Sequence, residues 1–382
     1  MRVFFLALKQ KMKVLQLCSY YLGTNLYKQL FDALDDRVQH KTYVFCNVRE
    51  NNPLTREDSL VISPCFTSLD RAFFHLKHKK VYDDIRKKVD VAEYEVLHAH
   101  SLFSNGYIAY QLFLEYRIPY IVAVRNTDVN VFFKWMVHLR GLGRKILKNA
   151  TKVIFLSPAY LDHTIETYLP PEDRQSLRER SYVIPNGINP FWLENKYGGR
   201  KKPQDGKVRL IYVGELRDNK NIHTTISVCE RLIEQGYDVS YHVIGRIVEE
   251  KYAGLEARYD FVTYTPYSPK EAIVDYYREA DIFIMPSKYE TFGLVYAEAL
   301  SQALPVIYTR GQGFDQYFAD GVVGYSTKFD NVDEMVSCVK RILADYEQIA
   351  ANCVEKVDVF DWTHIAATYE ELYVETIRGE KR

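Results

Sequence analysis

Short apolar runs rich in β-branched residues alternate with longer amphipathic stretches along most of the chain. In the first half, the pattern predicts strands at residues 14–18, 42–45, 60–62, 96–98, 120–124, 153–156 and 182–184, with helices at 25–34, 105–116 and 132–147. In the second half, it predicts strands at residues 208–213, 240–244, 261–264, 282–285 and 306–308, with a helix at 222–235. Residues 195–207 are polar, contain Gly and Pro, and lack periodicity, as a linker does. This alternation predicts an α/β protein with two doubly wound parallel sheets joined near residue 195.

Composition and length agree with a folded, two-domain protein. The 382 residues are 47% hydrophobic and 26% charged, which excludes a disordered or fibrous chain. No apolar stretch reaches the roughly 18 residues that span a bilayer, and the run at residues 3–8 is too short for a signal-peptide core. We therefore expect a cytoplasmic protein. The six cysteines form no C-x-x-C pair, which favours buried thiols over disulfides or a zinc site.

Charge is distributed unequally between the two halves. Residues 1–190 contain 27 Lys and Arg against 19 Asp and Glu, whereas the remainder contains 23 against 31. Basic and aromatic residues are interleaved at 71–80 and 131–148, a pattern typical of helices that lie on an anionic membrane. The alternative is two amphipathic helices that cover a sheet and keep their lysines in water. Nucleic acid is not an expected partner, because no recognised binding motif accompanies these segments.

Several common catalytic motifs are missing from the sequence. There is no G-x-G-x-x-G after a strand, no G-x-x-x-x-G-K-[ST], no G-x-S-x-G and no H-E-x-x-H. There is also no D-x-D, although an enzyme that holds a nucleotide diphosphate through Mg²⁺ usually offers paired carboxylates. If this chain binds phosphates, we expect side-chain cations and backbone amides to neutralise them.

The segment after the predicted strand 282–285 offers such amides. A helix is expected to begin at Thr291 or Phe292, so that the N–H groups of Gly293 and Leu294 are among its first free amides, at the positive end of the helix dipole. Gly293 would also allow a phosphate to approach closely. These residues predict an anion site at the carboxyl edge of the second sheet.

Charged residues flank this helix start. Glu298 follows Leu294 by one turn, roughly 6 Å along the axis, which suits the ribose hydroxyls of a bound nucleotide. Glu290 lies in the preceding loop, and after the strand 208–213 a further loop carries Arg217 and Lys220. Two cations there could neutralise a diphosphate leaving group. The alternative is a set of unrelated solvated surface charges.

The context of these residues resembles a known family. Glu290-x7-Glu298 within PSKYETFGLVYAEAL is similar to the donor-site motif of retaining glycosyltransferases of family 4, of the bacterial glycan-biosynthesis type. Segments 184–188, 213–221, 280–287, 304–307 and 360–362 follow in the family's order. The resemblance implies the GT-B fold, in which two doubly wound Rossmann-like domains face each other across a cleft. It implies an acceptor-binding domain at 1–195, a nucleotide-sugar-binding domain at 196–360, and a C-terminal helix at 361–382 that crosses back to the first domain.

The resemblance also implies roles for the residues of the second domain. Glu298 would bind the ribose hydroxyls and Glu290 the transferred sugar, while Lys220 and the amides of Gly293 and Leu294 would hold the diphosphate. Where the family usually has an arginine, this chain has a glutamate at position 215. Arg217 is therefore the candidate for the second diphosphate cation.

In the first domain, the resemblance is looser. Gly23 matches the family's glycine loop near the phosphates, and His100 ends an H-x-H that follows the fourth strand. Arg125 occupies a position where many members have a histidine, and it cannot act as a base at neutral pH. We expect Arg125 to stabilise negative charge or hold the acceptor and Asp128 to orient it.

These implications define an expected function. The chain would be a retaining, metal-independent, hexosyl-type glycosyltransferase (EC 2.4 class) that needs no cofactor and uses a nucleotide-diphosphate sugar, with UDP as the expected carrier. Its acceptor would be a glycan or lipid-linked glycan, reached in the cytoplasm or peripherally at the inner face of the membrane. The alternatives are a glycoside hydrolase, a nucleotide-sugar epimerase on the same fold, and a non-catalytic partner subunit of a glycosyltransferase.

Overall fold

The computed structural model describes residues 11–34, 38–49 and 59–379, so the apolar run at residues 3–8 lies outside the described residues. The chain forms two compact units. Of the described residues, the first unit contains those up to Leu156, then Leu161–Pro185, and the C-terminal segment from Trp362. The second unit contains Ser157–Tyr160 and Asn186–Asp361.

The first unit is built on a seven-stranded parallel sheet. Its strands are β1 (Met12–Leu17), β2 (Val38–Asn47), β3 (Leu60–Phe66), β4 (Val96–Ala99), β5 (Tyr120–Val124), β6 (Lys152–Phe155) and β7 (Ser181–Val183). Their order is β3-β2-β1-β4-β5-β6-β7. Val14 of β1 lies opposite His40 of β2 on one side and Val96 of β4 on the other. All five residues of β5 are buried, as expected for an apolar strand that is covered on both faces of the sheet.

Helices cover this sheet, and one of them differs from the prediction. The helices up to β7 are α1 (Leu26–Leu34), α2 (Phe74–Lys88), α3 (Ser104–Tyr116), α4 (Arg140–Asn149), α5 (Pro158–Tyr168) and α6 (Pro171–Glu179). The prediction of one helix at 132–147 is wrong. A wide π-type turn at Asp128–Phe133 and a single 3-10 turn at Val137–Leu139 precede α4. The aromatic rings at 132 and 133 both pack inward, on Phe103 and Tyr168 respectively, and the regular helix starts only beyond them.

The second unit contains a six-stranded parallel sheet. Its strands are β8 (Lys207–Val213), β9 (Asp238–Ile244), β10 (Val262–Thr265), β11 (Ile282–Ile284), β12 (Val306–Thr309) and β13 (Gly324–Thr327), in the order β10-β9-β8-β11-β12-β13. The order reverses between β8 and β11, where Leu210 pairs with Ile282. A ligand crevice forms at the carboxyl ends of the strands at such a switch point. The predicted α/β class with two doubly wound parallel sheets is confirmed.

The described part of the second unit contains seven α-helices. They are α7 (Pro190–Glu194), α8 (Ile222–Glu234), α9 (Leu255–Arg258), α10 (Lys270–Glu279), α11 (Leu294–Ser301), α12 (Val332–Ala344) and α13 (Tyr346–Lys356). In α8, the buried side chains of Ile222, Ile226 and Cys229 recur at intervals of three and four residues, which gives the helix one apolar face for the sheet.

The last helix, α14 (Trp362–Arg378), belongs to the first unit and packs against α1. The Trp362 indole donates a hydrogen bond to Gln29 Oε1 at 3.0 Å. The Tyr373 hydroxyl lies 3.1 Å from Gln16 Nε2 and 2.7 Å from His98 Nδ1. The helix therefore supplies part of the core of the first unit.

Two other predictions can be compared with the structure. All six cysteines are free, and all but the half-buried Cys65 are buried, which confirms the prediction of unpaired thiols. Among the helices within the described ranges, none combines the length and the hydropathy that crossing a bilayer requires.

Candidate functional site

The candidate site lies where β8 and β11 end side by side, and Asn219 joins the loops that follow these strands. The Asn219 side chain donates to the carbonyl oxygen of Tyr289 at 2.8 Å and accepts from the Tyr289 N–H at 3.1 Å. Its own carbonyl oxygen accepts from the Lys288 N–H at 2.8 Å. These three bonds hold the two loops together as one surface. The sequence reasoning missed Asn219, since an asparagine in a polar loop carries no signal of a partner 70 residues away.

An ion pair bridges the same two loops. Lys220 Nζ lies 2.6 Å from Glu290 Oε2, and the two side chains are only 20% and 15% exposed. The other carboxylate oxygen of Glu290 accepts the N–H of Thr291 at 3.0 Å. A largely buried ion pair adds little to stability, because desolvation offsets much of the attraction. The pair places an ammonium and a carboxylate in one crevice.

A third loop, which follows β12, fixes Glu290 from behind. Gln312 Oε1 accepts the backbone N–H of Glu290 at 2.9 Å, and the Gly313 N–H donates to the Glu290 carbonyl at 2.6 Å. A side chain at Gly313 would overlap the carbonyl group of Thr291, so only glycine fits there. The sequence reasoning missed this support, although the G-x-G at 311–313, directly after a strand, was a usable signal.

Helix α11 begins later than predicted. Its first residue is Leu294, not Thr291 or Phe292, because Gly293 has φ 77°, in the left-handed region that helices exclude. A Cβ on Gly293 would lie 2.5 Å from the Tyr296 ring. The N–H of Leu294 belongs to the first turn, where amides have no acceptor within the helix.

Glu298 lies on α11, one turn after Leu294, in a partly buried position. Burial raises the pKa of its carboxyl to about 7, while a hydrogen bond from the Trp192 indole acts in the opposite direction. This carboxyl therefore changes charge near neutral pH. The sequence reasoning found Glu298 but not Trp192, which comes from the short helix α7.

Glu215 has two arginine partners. Its carboxylate forms ion pairs with the guanidinium groups of Arg217 and Arg246, and the hydrogen bond from Arg246 is the main cause that lowers its pKa. Arg246 follows β9, whose loop is tied to this one because Leu216 N–H donates to the Arg246 carbonyl at 2.8 Å. The structure thus places Arg217 on Glu215, together with an arginine that the sequence reasoning missed.

A largely apolar cavity of about 540 Å³ opens beside this cluster. Val213, Ile244, Ile273 and Tyr267 line it, and Glu215 and Arg246 lie at its border. It therefore lies at the carboxyl ends of β8 and β9. A mainly apolar ligand group is the chemistry that such a lining accepts.

In the first unit, the predicted residues Gly23 and His100 have very different environments. Gly23 ends an exposed 3-10 turn after β1, and a Cβ there would meet nothing within 4 Å. His100 is fully buried, with Nε2 2.8 Å from Gln16 Oε1. Burial, followed by the neighbouring His98 and Arg125, holds the pKa of His100 well below its usual value. His100 is therefore neutral at physiological pH.

Arg125 and Asp128 lie beside His100 at the end of β5. Arg125 Nε donates to the His100 carbonyl at 3.2 Å, and the Arg125 N–H donates to Asp128 Oδ2 at 2.8 Å. The Asp128 carboxylate also accepts the N–H groups of Leu102 and Phe103 at 2.9 and 3.0 Å. Burial raises its pKa to about 6, against the effect of these bonds. Asp128 therefore holds the loop after β4, and its predicted contact with an acceptor stays a prediction.

Two doubly wound parallel sheets, with a charged crevice at the strand-order reversal of the second, define a GT-B protein. The Glycosyltransferase Family 4 model matches residues 26–190, and the model of Glycosyl transferases group 1 matches residues 196–357. The chain belongs to the GT4-type glycosyltransferases of the GT-B fold, which makes it a transferase of EC 2.4 type.

Similar proteins cover most of the chain at low identity. An uncharacterised glycosyltransferase of Methanocaldococcus jannaschii is 23% identical over 316 residues, which are 76% of this chain and 78% of that protein. The structure of sucrose-phosphate synthase from Thermosynechococcus elongatus aligns with a TM-score of 0.74 at 20% identity, over 97% of this chain and 100% of that one. Anabaena HepE in complex with UDP and glucose aligns with a TM-score of 0.64 at 17% identity, over 95% and 100%.

Proposed function

We propose that this glycosyltransferase is a retaining, metal-independent enzyme that transfers a hexosyl group from a nucleotide-diphosphate sugar to a glycan or lipid-linked glycan. The observation that carries the proposal is the Lys220–Glu290 pair, held between two loops at the switch point of the second sheet. UDP is the carrier that we expect, and the complex of HepE with UDP and glucose supports it. Residues 1–195 would bind the acceptor, 196–360 the donor, and 361–382 would serve as the returning helix.

The donor would lie along the carboxyl edge of the second sheet. In its ionised form, Glu298 would accept hydrogen bonds from both ribose hydroxyls. The amides of Gly293 and Leu294 and the ammonium of Lys220 would hold the diphosphate, which the helix dipole also favours. The apolar cavity beside Glu215 has the size and lining for a nucleotide base.

The cations that neutralise the diphosphate would be Lys220 and one arginine of the Glu215 cluster. Arg217 is the sequence candidate, and Arg246 joins it because both guanidinium groups share the Glu215 carboxylate. Side-chain cations of this kind can replace Mg²⁺ in neutralising a leaving diphosphate.

The transfer would occur on one face of the sugar. As the bond between the anomeric carbon and the phosphate oxygen breaks, the acceptor oxygen bonds to the same face, and its proton moves to the leaving phosphate oxygen. Lys220 would stabilise the charge on that diphosphate, and Glu290 would hold the sugar hydroxyls. On the acceptor side, Arg125 would bind negative charge, and Gly23 would let the acceptor or the phosphates approach. Asp128 and the neutral His100 would hold the loops at this edge of the first sheet in position.

We expect the enzyme to work in the cytoplasm, peripherally at the inner face of the membrane, where a lipid-linked acceptor would be reached. The two basic, aromatic segments of the first unit support this location.

Substitution of the ion pair tests the proposal. Lys220→Ala and Glu290→Ala should each lower kcat by about 100-fold or more, with a much smaller change in the KM for the donor. Lys251→Ala is the matched control, because Lys251 pairs with Asp218 in the neighbouring loop and has no proposed role. The donor should first be found by thermal stabilisation with a panel of UDP-, ADP- and GDP-sugars. A wild-type kcat in either variant would refute the role assigned to that residue.

A further inference from the structure

The first unit exposes large apolar side chains in two segments that are distant in the sequence. Leu69, Phe73 and Trp135 are 82%, 65% and 72% exposed. We use the name basic–aromatic face for the exposed apolar side chains of these two segments together with the lysines and arginines among them. The apolar members are Leu69, Phe73, Leu76, Val131, Trp135 and Val137. Soluble monomers rarely leave such a set of large apolar side chains in water unless the surface binds something.

The two segments are neighbours in space. The rings of Phe74 and Phe132 lie 6.1 Å apart in an edge-to-face arrangement, and Phe132 also stacks on Phe103 at 4.6 Å. Phe73 precedes one of these anchoring rings and Val131 precedes the other. The inward rings thus bring the exposed side chains on either side of them together.

The break in the predicted helix explains why the second segment is exposed. The chain leaves the π-type turn after Phe133 and enters α4 only at Arg140. Trp135 ends the helical residues that follow this turn, and Val137 begins the 3-10 turn at Val137–Leu139, so neither residue is part of α4. Both side chains are more than half exposed as a result.

The two segments carry an excess of positive charge. Between residues 129 and 149, the sequence has five Lys and Arg and no Asp or Glu, and of these Lys148 pairs with Asp173 at 3.0 Å. Within residues 69–80, the only acid is Asp70, which is already paired with Lys80 at 2.8 Å. Arg140 and Arg144 donate to the carbonyl oxygens of residues 133 and 168, which fixes them in place without cancelling their charge.

We propose that the basic–aromatic face docks on an anionic lipid bilayer. Phe73 and Trp135 would enter the boundary between headgroups and acyl chains, and the surrounding lysines and arginines would contact lipid phosphates. Exposed aromatic rings next to an excess of positive charge suit the surface of an anionic bilayer. Docking of this kind would bring the enzyme to a lipid-linked acceptor. The proposal therefore deepens the proposed function, and it rests on that function for the nature of the acceptor.

Trp135 provides a direct probe of insertion. Of the three tryptophans in the chain, Trp192 and Trp362 are 2% and 6% exposed, so a change in emission on adding vesicles would report on Trp135. With the full-length protein, vesicles of phosphatidylcholine and phosphatidylglycerol should shift the emission to shorter wavelength. Pure phosphatidylcholine vesicles should have little effect, and salt should weaken the binding.

Variants test the surface itself by co-sedimentation with the same vesicles. Phe73→Ser combined with Trp135→Ser should lower the vesicle affinity at least tenfold. Lys79 and Lys145 are exposed lysines of the two basic segments, and Lys79→Gln combined with Lys145→Gln should lower the affinity for phosphatidylglycerol vesicles. Leu114→Ser is the matched control, since Leu114 is 42% exposed in the same unit but outside the face, and it should bind as the wild type does. Unchanged melting temperatures would show that the variants are folded.

Three results would overturn the proposal: no sedimentation with anionic vesicles, unchanged emission of Trp135, or an equal loss of affinity in the Leu114 variant. A concentration-dependent dimer that the Phe73 and Trp135 substitutions abolish would also overturn it, because the face would then bind a second copy. Calorimetry of the sugar nucleotides without vesicles separates the two proposals. Donor binding without vesicle binding refutes the docking surface alone, and vesicle binding without donor binding refutes the proposed function alone.

Discussion

Glu298 should make the affinity for the donor depend on pH. Because its pKa is raised to about 7, roughly one-tenth of the carboxyl is ionised at pH 6 and roughly nine-tenths at pH 8. Only the carboxylate can accept hydrogen bonds from both ribose hydroxyls without offering a competing proton. We therefore expect the Kd of the sugar nucleotide to be about tenfold lower at pH 8 than at pH 6, which corresponds to about 1.4 kcal/mol.

Stability should move in the opposite direction. The folded pKa of about 7 exceeds the reference value of 4.5, so the folded protein retains a proton that the unfolded chain has released. Between these two values, the contribution of Glu298 to the free energy of unfolding should fall as pH rises, by up to about 3 kcal/mol. A site that binds its ligand more tightly as the protein becomes less stable is a distinctive signature.

Isothermal titration calorimetry at pH 6, 7 and 8 would measure the effect, with UDP-glucose as the probe because its diphosphate does not titrate in this range. Glu298→Gln should remove the pH dependence of both affinity and melting temperature. Glu230→Gln, an exposed position on α8, is the matched control and should keep both. A Kd for the wild type that is flat across this range, or the same slope in Glu298→Gln, would refute the assignment of Glu298 to the ribose.

Two further substitutions examine the supports of the site. Gly313→Ala should destabilise the protein by about 1–3 kcal/mol and lower kcat, because its Cβ would push against the Thr291 carbonyl. Gly198→Ala is the control, since the space around Gly198 is open, and equal melting temperatures of the two variants would contradict the prediction. Glu215→Gln should weaken the binding of the sugar nucleotide severalfold, since Arg217 and Arg246 would lose the carboxylate that orients them. Calorimetry would measure the affinity, and an unchanged affinity would show that neither arginine contacts the diphosphate.

Much of the fold could be predicted from periodicity alone. A strand such as β5, with five apolar residues buried on both faces, carries a signal within itself. The strand β13 was missed because Gly324-Tyr-Ser-Thr is not an apolar run, although all four residues are buried beside β12. The break before α4 was missed because aromatic residues at helical spacing do not reveal which rings pack inward.

The site shows the same division between local and distant information. Lys220 and Glu290 could be found from their loops and from the family resemblance, but their direct contact depends on Asn219 and on the adjacency of β8 and β11. Arg246 and Gln312 come from loops after other strands, and no sequence spacing connects them to their partners. Positions of chemical interest can be predicted locally, whereas the groups that hold them in place are determined by the tertiary fold.

The position of α14 has a consequence for biosynthesis. Trp362, Ile365 and Tyr373 belong to the same buried cluster as Val14 and Phe31, so the hydrophobic interior of the first unit includes residues from both ends of the described chain. During translation, this unit cannot close until α14 has left the ribosome, whereas residues 186–361 emerge before that helix. An isolated fragment that ends before Trp362 should therefore aggregate, and addition of the missing helix as a separate peptide should restore its solubility.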